Sequence, residues 1–359
     1  MNERDAELLE RTLELAERGR RTASPNPVVG CVIARHGRTL GEGWHVRPGE
    51  RHAEANALAA CTEDPSGATA YVSLEPCSHH GRQPPCADAL IAAGIARVVC
   101  AIGDPSPNVA GAGLQRLRAA GLEVELATGE LVERARRQNA AFRVHSVTGR
   151  PFVRLKLAAS LDGRTATASG ESRWISSPES RRLVHEWRAS SDAVAIGAGT
   201  ALADDPLLLA RDCEPPCERQ PVRVVFDRRA RLDATSRLAA SVGEGPVLRV
   251  AQAGAAPPPP GVEALVADTL DEALVALAGR GIASLLVEGG ATLAGALIAG
   301  GLADALALFS APLVIGDDGV PLLGRLGVGR LAQAPALHRL EVSRVGADVL
   351  TEGLLRELP

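Results

Sequence analysis

The sequence predicts an α/β protein made of two domains. Three observations support this prediction: a length of 359 residues, alternating strand and helix patterns, and a break in those patterns between Thr148 and Pro151. Such a length fits about two domains of ~150 residues each. Strands that alternate with helices predict crossover units, so the sheets should be largely parallel and covered on both faces. We place the boundary between residues 148 and 149, where Gly149 and Pro151 punctuate the chain.

The first predicted domain, residues 1–148, contains five helices and five strands. Leu9, Leu13 and Ala16 have helical spacing, and Gly19 stands where a helix is expected to end. Apolar runs on either side of residues 35–38 predict a hairpin of strands 28–34 and 39–45. The remaining patterns predict helices at 52–61, 86–94, 112–121 and 129–145, and strands at 68–75, 96–102 and 122–127.

The second predicted domain, residues 149–359, is again built from strands with helices between them. Two stretches, 211–221 and 251–261, are predicted to be loops because proline can neither donate to a sheet nor continue a helix. The strand-like stretches are 152–160, 191–199, 221–227, 283–290 and 305–316.

Composition excludes several classes of protein. The first 149 residues carry 17 basic and 18 acidic groups and the rest carry 22 and 25, so neither half has the basic surface of a nucleic-acid binder. Aromatic residues, which stack on bases, make up only 2% of the chain. The longest apolar stretch, 289–303, is too short for a membrane span, which takes ~20 residues. We therefore expect neither a nucleic-acid nor a membrane partner.

The cysteines and the N-terminus indicate a cytoplasmic protein. Residues 1–20 are charged throughout, unlike a signal peptide, and seven cysteines is an odd number for a disulfide framework. Cys31, Cys61 and Cys100 fall on predicted core faces and are interpreted as small buried apolar residues. Cys77 and Cys86 are therefore candidates for metal binding. No second metal site is expected at Cys213 and Cys217, because two cysteines supply only half of a structural set of ligands.

One lysine stands out against 38 arginines. Where an arginine would serve, this chain uses arginine, so Lys156 is a candidate functional residue. An ammonium is compact and its proton affinity responds to burial, whereas a guanidinium is bulky and permanently charged.

The strongest chemical signal is a set of zinc ligands. His52, Cys77 and Cys86 supply one imidazole and two thiolates, which leaves the fourth position of a tetrahedral site open for water. Glu54 lies two residues after the histidine and is a candidate proton shuttle that does not bind the metal. The pattern is that of the zinc-dependent nucleobase deaminases, with a longer spacing between the cysteines. The alternatives are a closed structural zinc site or no metal, and the combination of residues favours catalytic zinc.

Two glycine-rich stretches in the second half predict a dinucleotide site. Residues 288–295 follow an apolar strand and open a helix, and main-chain amides at a helix start can bind a pyrophosphate. The stretch lacks the G-x-G-x-x-G fingerprint, and a simple turn is the alternative. Residues 195–206 also follow a strand, and Thr200 and Asp204 could bond a ribose or a nicotinamide amide.

Six blocks of the sequence resemble one known family, the bifunctional riboflavin-biosynthesis deaminase/reductases. They are PNPVVG (25–30), HAE (52–54), EPCSHHGRQPPC (75–86), LKLAASLDGRTATASGESRWISS (155–177), ALADDPLLLAR (201–211) and VEGGATLAGAL (287–297). The resemblance implies a cytidine-deaminase-like α/β/α domain at 1–148 and a dihydrofolate-reductase-like α/β domain at 149–359. It also implies a homo-oligomer that binds one zinc ion per chain and NADPH.

The implied activity has two steps on a phosphorylated pyrimidine. The first half would deaminate 2,5-diamino-6-ribosylamino-4(3H)-pyrimidinone 5′-phosphate hydrolytically, using zinc. The second half would then reduce the ribosyl group to ribityl with NADPH.

The resemblance assigns roles to residues that match its motifs. In the first half, His52, Cys77 and Cys86 match the zinc ligands and Glu54 the proton shuttle, and the deaminase pocket is matched by Asn26, His45, His79 and Arg82. The residues that match NADPH contacts are Ala158, Trp174, Thr200, Asp204, Gly290, Ala291, Thr292, Leu293, Ala294, Gly295 and Ala296. Those that match contacts to the reductase substrate are Lys156, which is also the catalytic candidate, Ser172, Arg188, Leu208, Arg211 and Glu288.

Two other interpretations start from the same residues. A tRNA-editing deaminase also uses HAE and two cysteines, but the long cysteine loop and the acidic balance argue against it. A non-enzyme would use zinc as a structural staple and the second half to sense a nucleotide. Unfolding on zinc removal, without ammonia release from any aminopyrimidine, would favour that second alternative.

Overall fold

The computed structural model describes residues 1–78, 84–106 and 109–359, which form two compact units. The first comprises Met1–Thr148 together with Leu358–Pro359, and the second comprises Gly149–Glu357. Among the described residues, no helix is both long and apolar enough to cross a membrane.

The first unit contains a five-stranded sheet of mixed direction. Its strands are β1 (Gly30–Arg35), β2 (Arg38–Trp44), β3 (Thr69–Val72), β4 (Arg97–Cys100) and β5 (Glu123–Leu126), in the order β2-β1-β3-β4-β5. β3, β4 and β5 are parallel, whereas β1 is antiparallel to both β2 and β3. The expectation of a largely parallel sheet is therefore wrong for the β2-β1-β3 side of this sheet. The cause is the predicted hairpin, whose turn residues His36 (φ 51°) and Gly37 (φ 76°) join β1 directly to an antiparallel neighbour.

Within the described part of this unit, six helices cover the sheet, one more than the sequence predicts. The expected helix 129–145 is divided at Asn139, whose buried side chain accepts the Val28 N–H at 2.9 Å and donates to the Val28 carbonyl at 3.0 Å. The helices are α1 (Glu3–Glu17), α2 (Ala53–Ala59), α3 (Cys86–Ala92), α4 (Ala112–Ala119), α5 (Glu130–Gln138) and α6 (Ala140–Thr148).

The two faces of the first sheet bury separate apolar clusters. Leu9 and Leu13 of α1 pack with Tyr71 and Val99 on one face. On the other face, residues of α2, α3 and α4 pack against the sheet around Ile33 and Val98. Cys31 and Cys100 are fully buried and Cys61 packs partly buried at the edge of the core, as small apolar residues do.

The second unit contains a nine-stranded sheet that is mostly parallel, as predicted. Its strands are β6 (Phe152–Ser160), β8 (Ala193–Gly197), β9 (Val222–Phe226), β10 (Val247–Ala251), β11 (Glu263–Val266), β12 (Ser284–Glu288), β13 (Ala305–Ala311), β15 (His338–Val345) and β16 (Asp348–Leu354). Their order in the sheet is β11-β10-β9-β8-β12-β6-β13-β16-β15, and only the pairs β13–β16 and β16–β15 are antiparallel. The short strands β7 (Arg164–Ala166) and β14 (Val320–Pro321) form a separate antiparallel pair.

The helices of the second unit are α7 (Pro178–Ala189), α8 (Ala198–Asp204), α9 (Arg237–Ala240), α10 (Leu270–Ala278) and α11 (Ala291–Ala299). Three-residue 3₁₀ turns follow at Val242–Glu244 and Leu331–Gln333. The predicted strand 305–316 ends at Ala311, because Pro312 lacks the N–H that a longer ladder needs. The two proline-containing loops, 211–221 and 251–261, contain no helix and no strand beyond Ala251.

Candidate active sites

The three predicted zinc ligands come together in the first unit. His52 is the residue that caps α2, Cys77 follows β3, and Cys86 is the first residue of α3. Their ligand atoms, His52 Nδ1 and the two Sγ atoms, all lie within 4.8 Å of one another. His52 Nδ1 is 3.2 Å from Cys86 Sγ and 3.6 Å from Cys77 Sγ. One imidazole and two thiols at such spacing fit a zinc ion with a fourth position to spare.

The surroundings of Cys77 favour its thiolate form. The Cys86 thiol and the Cys86 main-chain N–H, at 3.3 Å, both donate to Cys77 Sγ, and with His52 they lower the pKa of the Cys77 thiol. The Cys77 contact in turn raises the pKa of His52. These contacts stabilise negative charge on sulfur, as a cysteine that binds a cation requires.

Glu54 lies in the first turn of α2, beside the ligand cluster. Its side chain is only 3% exposed. Burial, with the negative charge of Cys77 as a smaller cause, raises the pKa of Glu54 to about 7. A carboxyl group with a pKa near neutrality can both accept and release a proton, as a proton shuttle requires.

A cavity of about 490 Å³ opens onto this cluster. Asn26 and His45 line it and contact each other, with Asn26 Nδ2 3.0 Å from His45 Nε2. His45 Nδ1 lies 3.2 Å from the Arg51 carbonyl, and the His45 ring meets the His52 ring edge to face at 5.3 Å. If Nδ1–H donates to that carbonyl, Nε2 accepts from Asn26 and the amide oxygen of Asn26 remains an acceptor for a ligand.

The structure adds cavity residues that the sequence interpretation did not name. Glu75, Asp104, Ser106, Phe142 and Ser146 also line the space. Of these, only Glu75 lies in a motif block, immediately before Pro76 and Cys77. The predicted pocket residues His79 and Arg82 lie outside the described residues.

Lys156 lies in a charged cluster at the centre of the second sheet. On β6 it is the register partner of Glu288 on β12 and of Ala307 on β13, and its Nζ is 5.7 Å from the Phe309 ring centre. Burial lowers the pKa of Lys156, and the nearby Arg188 acts in the same direction while Glu288 opposes it.

Arg188 and Glu288 form a bidentate ion pair beside this lysine. The Nε–Oε1 and Nη2–Oε2 distances are 2.5 and 2.7 Å, and Arg188 also donates to the Leu209 carbonyl at 3.0 Å. Both side chains are largely buried. Removing either one would leave the other charge buried without a partner, which is strongly destabilising.

The two glycine-rich stretches lie at the carboxyl ends of neighbouring parallel strands, β8 and β12. Gly289 and Gly290 adopt φ values of 78° and 86° and lead into α11. A Cβ on Gly290 would lie 3.1 Å from Thr200 Oγ1 on α8, so the two stretches are in contact. The carboxyl ends of parallel strands are where open α/β sheets bind ligands, and this bare main chain fits a dinucleotide phosphate.

The other predicted contacts of NADPH differ in exposure. In α11, Leu293, Ala294 and Gly295 are buried, whereas Thr292 and Ala296 are exposed. Trp174 is 68% exposed with the Arg181 guanidinium 4.5 Å above its ring. Ala158 lies two residues beyond Lys156 on β6, and the Asp204 carbonyl accepts a hydrogen bond from Arg173.

The remaining predicted substrate contacts border the Arg188–Glu288 pair or the segment before α7. Leu208 is buried with φ at 55°, which is unusual for a residue other than glycine. Arg211 is exposed, and its main-chain N–H donates to His185 Nδ1 at 3.1 Å. His185 was not predicted as part of this site. Ser172 is partly buried in the segment before α7.

Comparison with known proteins matches each unit to a different family. A family described as "Cytidine and deoxycytidylate deaminase zinc-binding region" matches residues 2–102, and one described as "RibD C-terminal domain" matches residues 151–351. The fold and sites therefore define a zinc-binding deaminase unit joined to a reductase unit.

Relatives match both units together. The riboflavin biosynthesis protein RibD of Escherichia coli (strain K12) is 45% identical over 360 residues, covering 96% of this chain and 98% of that protein. RibD of Haemophilus influenzae is 41% identical, covering 96% of each. The chain belongs to the RibD family.

Solved structures agree over the whole chain. Acinetobacter baumannii RibD, form 1, has 39% identity and a TM-score of 0.87, covering 98% of both chains. A diaminohydroxyphosphoribosylaminopyrimidine deaminase/5-amino-6-(5-phosphoribosylamino)uracil reductase from Thermotoga maritima has 35% identity and a TM-score of 0.87, covering 97% of this chain and 98% of that one. The predicted α/β fold class is confirmed.

Proposed function

We propose that this chain is a bifunctional enzyme of riboflavin biosynthesis. Residues 1–148 deaminate 2,5-diamino-6-ribosylamino-4(3H)-pyrimidinone 5′-phosphate, and residues 149–359 reduce the ribosyl group of the product to ribityl with NADPH. The observation that carries the proposal is the convergence of His52, Cys77 and Cys86 beside the buried Glu54, at a cavity large enough for a small-molecule substrate.

In the deaminase site, His52, Cys77 and Cys86 would hold zinc. When bound, zinc supplies Lewis acidity and lowers the pKa of water. Glu54 takes up a proton at its carboxylate during hydrolysis and delivers it to the departing amino group, since its pKa of about 7 allows both directions. Asn26, oriented by His45, accepts a hydrogen bond from the pyrimidine edge. The motif residues His79 and Arg82 remain candidates for the phosphate.

In the reductase site, NADPH supplies the hydride when bound. Lys156 contacts the substrate and holds or donates a proton at Nζ, since burial lowers its pKa and so eases release of that proton. Ala158, Trp174, Thr200, Asp204 and the segment Gly290–Ala296 are the proposed contacts of NADPH. The Thr200–Gly290 contact supports this placement, because it joins two segments that the sequence assigned to one cofactor.

The two arginines of this site take different tasks. The Arg188 guanidinium donates hydrogen bonds to Glu288 and to the Leu209 carbonyl, so Arg188 holds Glu288 in place beside Lys156. Arg211 is exposed and its main chain is fixed by His185, which supports Arg211 as the phosphate ligand. Ser172 and Leu208 complete the proposed substrate contacts.

The chain is also proposed to form a homo-oligomer in the cytoplasm. The edge strand β15 supports the homo-oligomer, since Leu340 and Val342 on this strand are 58% and 62% exposed. An edge strand with unpaired main-chain groups and exposed apolar side chains can pair with a second copy across a twofold axis. None of the seven cysteines, all of which lie in the described part of the chain, forms a disulfide, and this supports a reducing compartment.

The test of the two activities uses the purified chain. We expect about one zinc per chain, ammonia release from the diaminopyrimidine substrate, and NADPH oxidation when the deaminated product is supplied. Removal of zinc by a chelator should stop ammonia release and leave NADPH oxidation with the deaminated product near its original rate. Zinc-loaded protein that releases no ammonia from this substrate would contradict the proposal.

A further inference from the structure

Glu75 is a buried carboxylate bound by four main-chain N–H groups. Its Oε1 accepts from Gly113 at 2.9 Å and Leu114 at 3.3 Å, and its Oε2 accepts from Asp104 at 3.0 Å and Gly111 at 3.1 Å. The side chain is 4% exposed. A carboxylate offers about four lone-pair positions, so these donors use all of them. Such saturation leaves Glu75 no free lone pair for a substrate, although it lines the cavity.

The donors belong to two different segments of the chain. Asp104 lies just beyond β4, whereas Gly111, Gly113 and Leu114 belong to the start of α4. A carboxylate at the beginning of a helix is stabilised by the unpaired N–H groups there. The Glu75 side chain therefore joins the loop after β4 to the first turn of α4.

Gly113 shows how closely α4 approaches the residues after Glu75. A Cβ built on Gly113 would lie 1.9 Å from the Pro76 carbonyl oxygen and 3.2 Å from Glu75 Oε1. No side chain fits in that space without displacing the helix. Gly113 is thus a separate indication that this junction is closely packed, and it does not depend on the hydrogen bonds.

Both segments that the Glu75 carboxylate joins, the one around Glu75 and the loop after β4, reach the deaminase site. Cys77, a zinc ligand, follows Glu75 by two residues, and Asp104 and Ser106 line the cavity on the other side. The Ser106 N–H donates to Asp104 Oδ1 at 2.8 Å, so the position of Asp104 also sets that of Ser106. Movement of the Glu75 carboxylate would therefore shift the cavity wall relative to the metal ligands.

We infer that Glu75 is a positioning residue for deamination: its carboxylate fixes the cavity wall of Asp104 and Ser106 against the Cys77 segment, and so sets the fit of the substrate beside the metal. This inference rests on the proposed deaminase function. Glutamine has the same shape but presents one carbonyl oxygen and one amino group, so it can satisfy no more than half of the four donors.

The test compares Glu75→Gln and Gly113→Ala with the wild-type chain. In zinc-loaded protein, we expect both variants to raise the KM for the diaminopyrimidine substrate roughly tenfold or more, since each leaves buried donors unsatisfied or displaced. The KM should change more than kcat, because the wall and not Glu54 is disturbed. NADPH oxidation should stay native and reports that the second unit is folded, whereas one zinc retained per chain reports that the first unit is folded. Glu123→Gln, on an exposed glutamate of the same unit, is the matched control.

Amide hydrogen exchange at Asp104 and Gly113 is measured in the same samples and does not depend on catalysis. The inference expects faster exchange at both amides in Glu75→Gln, with one zinc retained per chain. A native KM in zinc-loaded Glu75→Gln would overturn it, and so would unchanged exchange. A wild-type chain without ammonia release would instead overturn the proposed function, whatever the exchange result.

Discussion

At the scale of single residues, Glu54 illustrates how burial prepares a group for its reaction. A carboxyl in water has a pKa near 4, whereas the enclosed position of Glu54 raises its pKa to about 7. The residue owes this property to α2, which carries it into the protein interior directly after His52. The same segment therefore supplies one of the candidate metal ligands and the proposed proton carrier.

Replacing Glu54 should separate binding from catalysis. Glu54→Gln keeps the shape and removes the proton-accepting group, so kcat for ammonia release should fall about 100-fold or more. Zinc content and NADPH binding should be unchanged, as measured by metal analysis and cofactor titration. Glu7→Gln, on the exposed face of α1, is the control. Native deamination by Glu54→Gln would contradict the assigned role.

Lys156 is the corresponding residue in the second unit. Lys156→Arg places a larger, permanently charged group in a buried position beside Arg188, which already carries a positive charge. We expect reductase activity to fall about 100-fold or more while deaminase activity stays near native. The reverse exchange at a neighbouring position, Arg154→Lys, should leave both activities near native. Intact reduction by Lys156→Arg would mean that the single lysine has no special role.

At the scale of elements, the turn between β12 and α11 forms part of the proposed NADPH site. Gly289 and Gly290 both require positive φ values, which most residues adopt only at a cost of about 1–3 kcal/mol. The turn delivers the first N–H groups of α11 to the same edge as α8. The shape of this turn and the proposed NADPH site therefore depend on the same two glycines.

Gly290→Ala tests this turn. The added methyl group would meet Thr200 Oγ1 and strain the backbone, so NADPH should bind roughly tenfold more weakly. Fluorescence titration with NADPH measures the Kd, and ammonia release checks that the first unit is intact. Gly243→Ala, at a glycine with open space around its Cα, should bind NADPH normally. Equal affinities in both variants would place the cofactor elsewhere.

At the scale of the whole molecule, the exposed edge strand bears on assembly. β15 ends the nine-stranded sheet, and every residue from His338 to Arg344 on it is exposed. If two copies pair along β15, Val342→Lys should place like charges at the interface and shift the protein towards monomer in light scattering. Val275→Lys, on an exposed valine of α10, is the control and should leave the mass unchanged. An unaltered oligomer in Val342→Lys would exclude β15 as the interface.

Local sequence patterns were enough to predict the α/β fold class and the candidate metal ligands of this protein. The zinc ligands lie in recognisable local patterns, because a histidine, a glutamate and two cysteines near strand ends and helix starts carry their chemistry with them. The alternation of strands and helices likewise predicted the α/β class, since both periodicities are local. Lys156 could be singled out by composition alone.

The features that the sequence did not reveal depend on residues distant along the chain. The four donors of Glu75 are main-chain N–H groups, which every residue except proline possesses and which therefore leave no pattern. The sequence placed Arg188 and Glu288 at one substrate but did not predict their ion pair, which joins residues 100 positions apart. Folding alone brings such partners together, because strand order and helix packing set distances that no local spacing encodes. The sequence thus predicted the candidate reactive groups, and the tertiary structure supplied the contacts that hold those side chains in position.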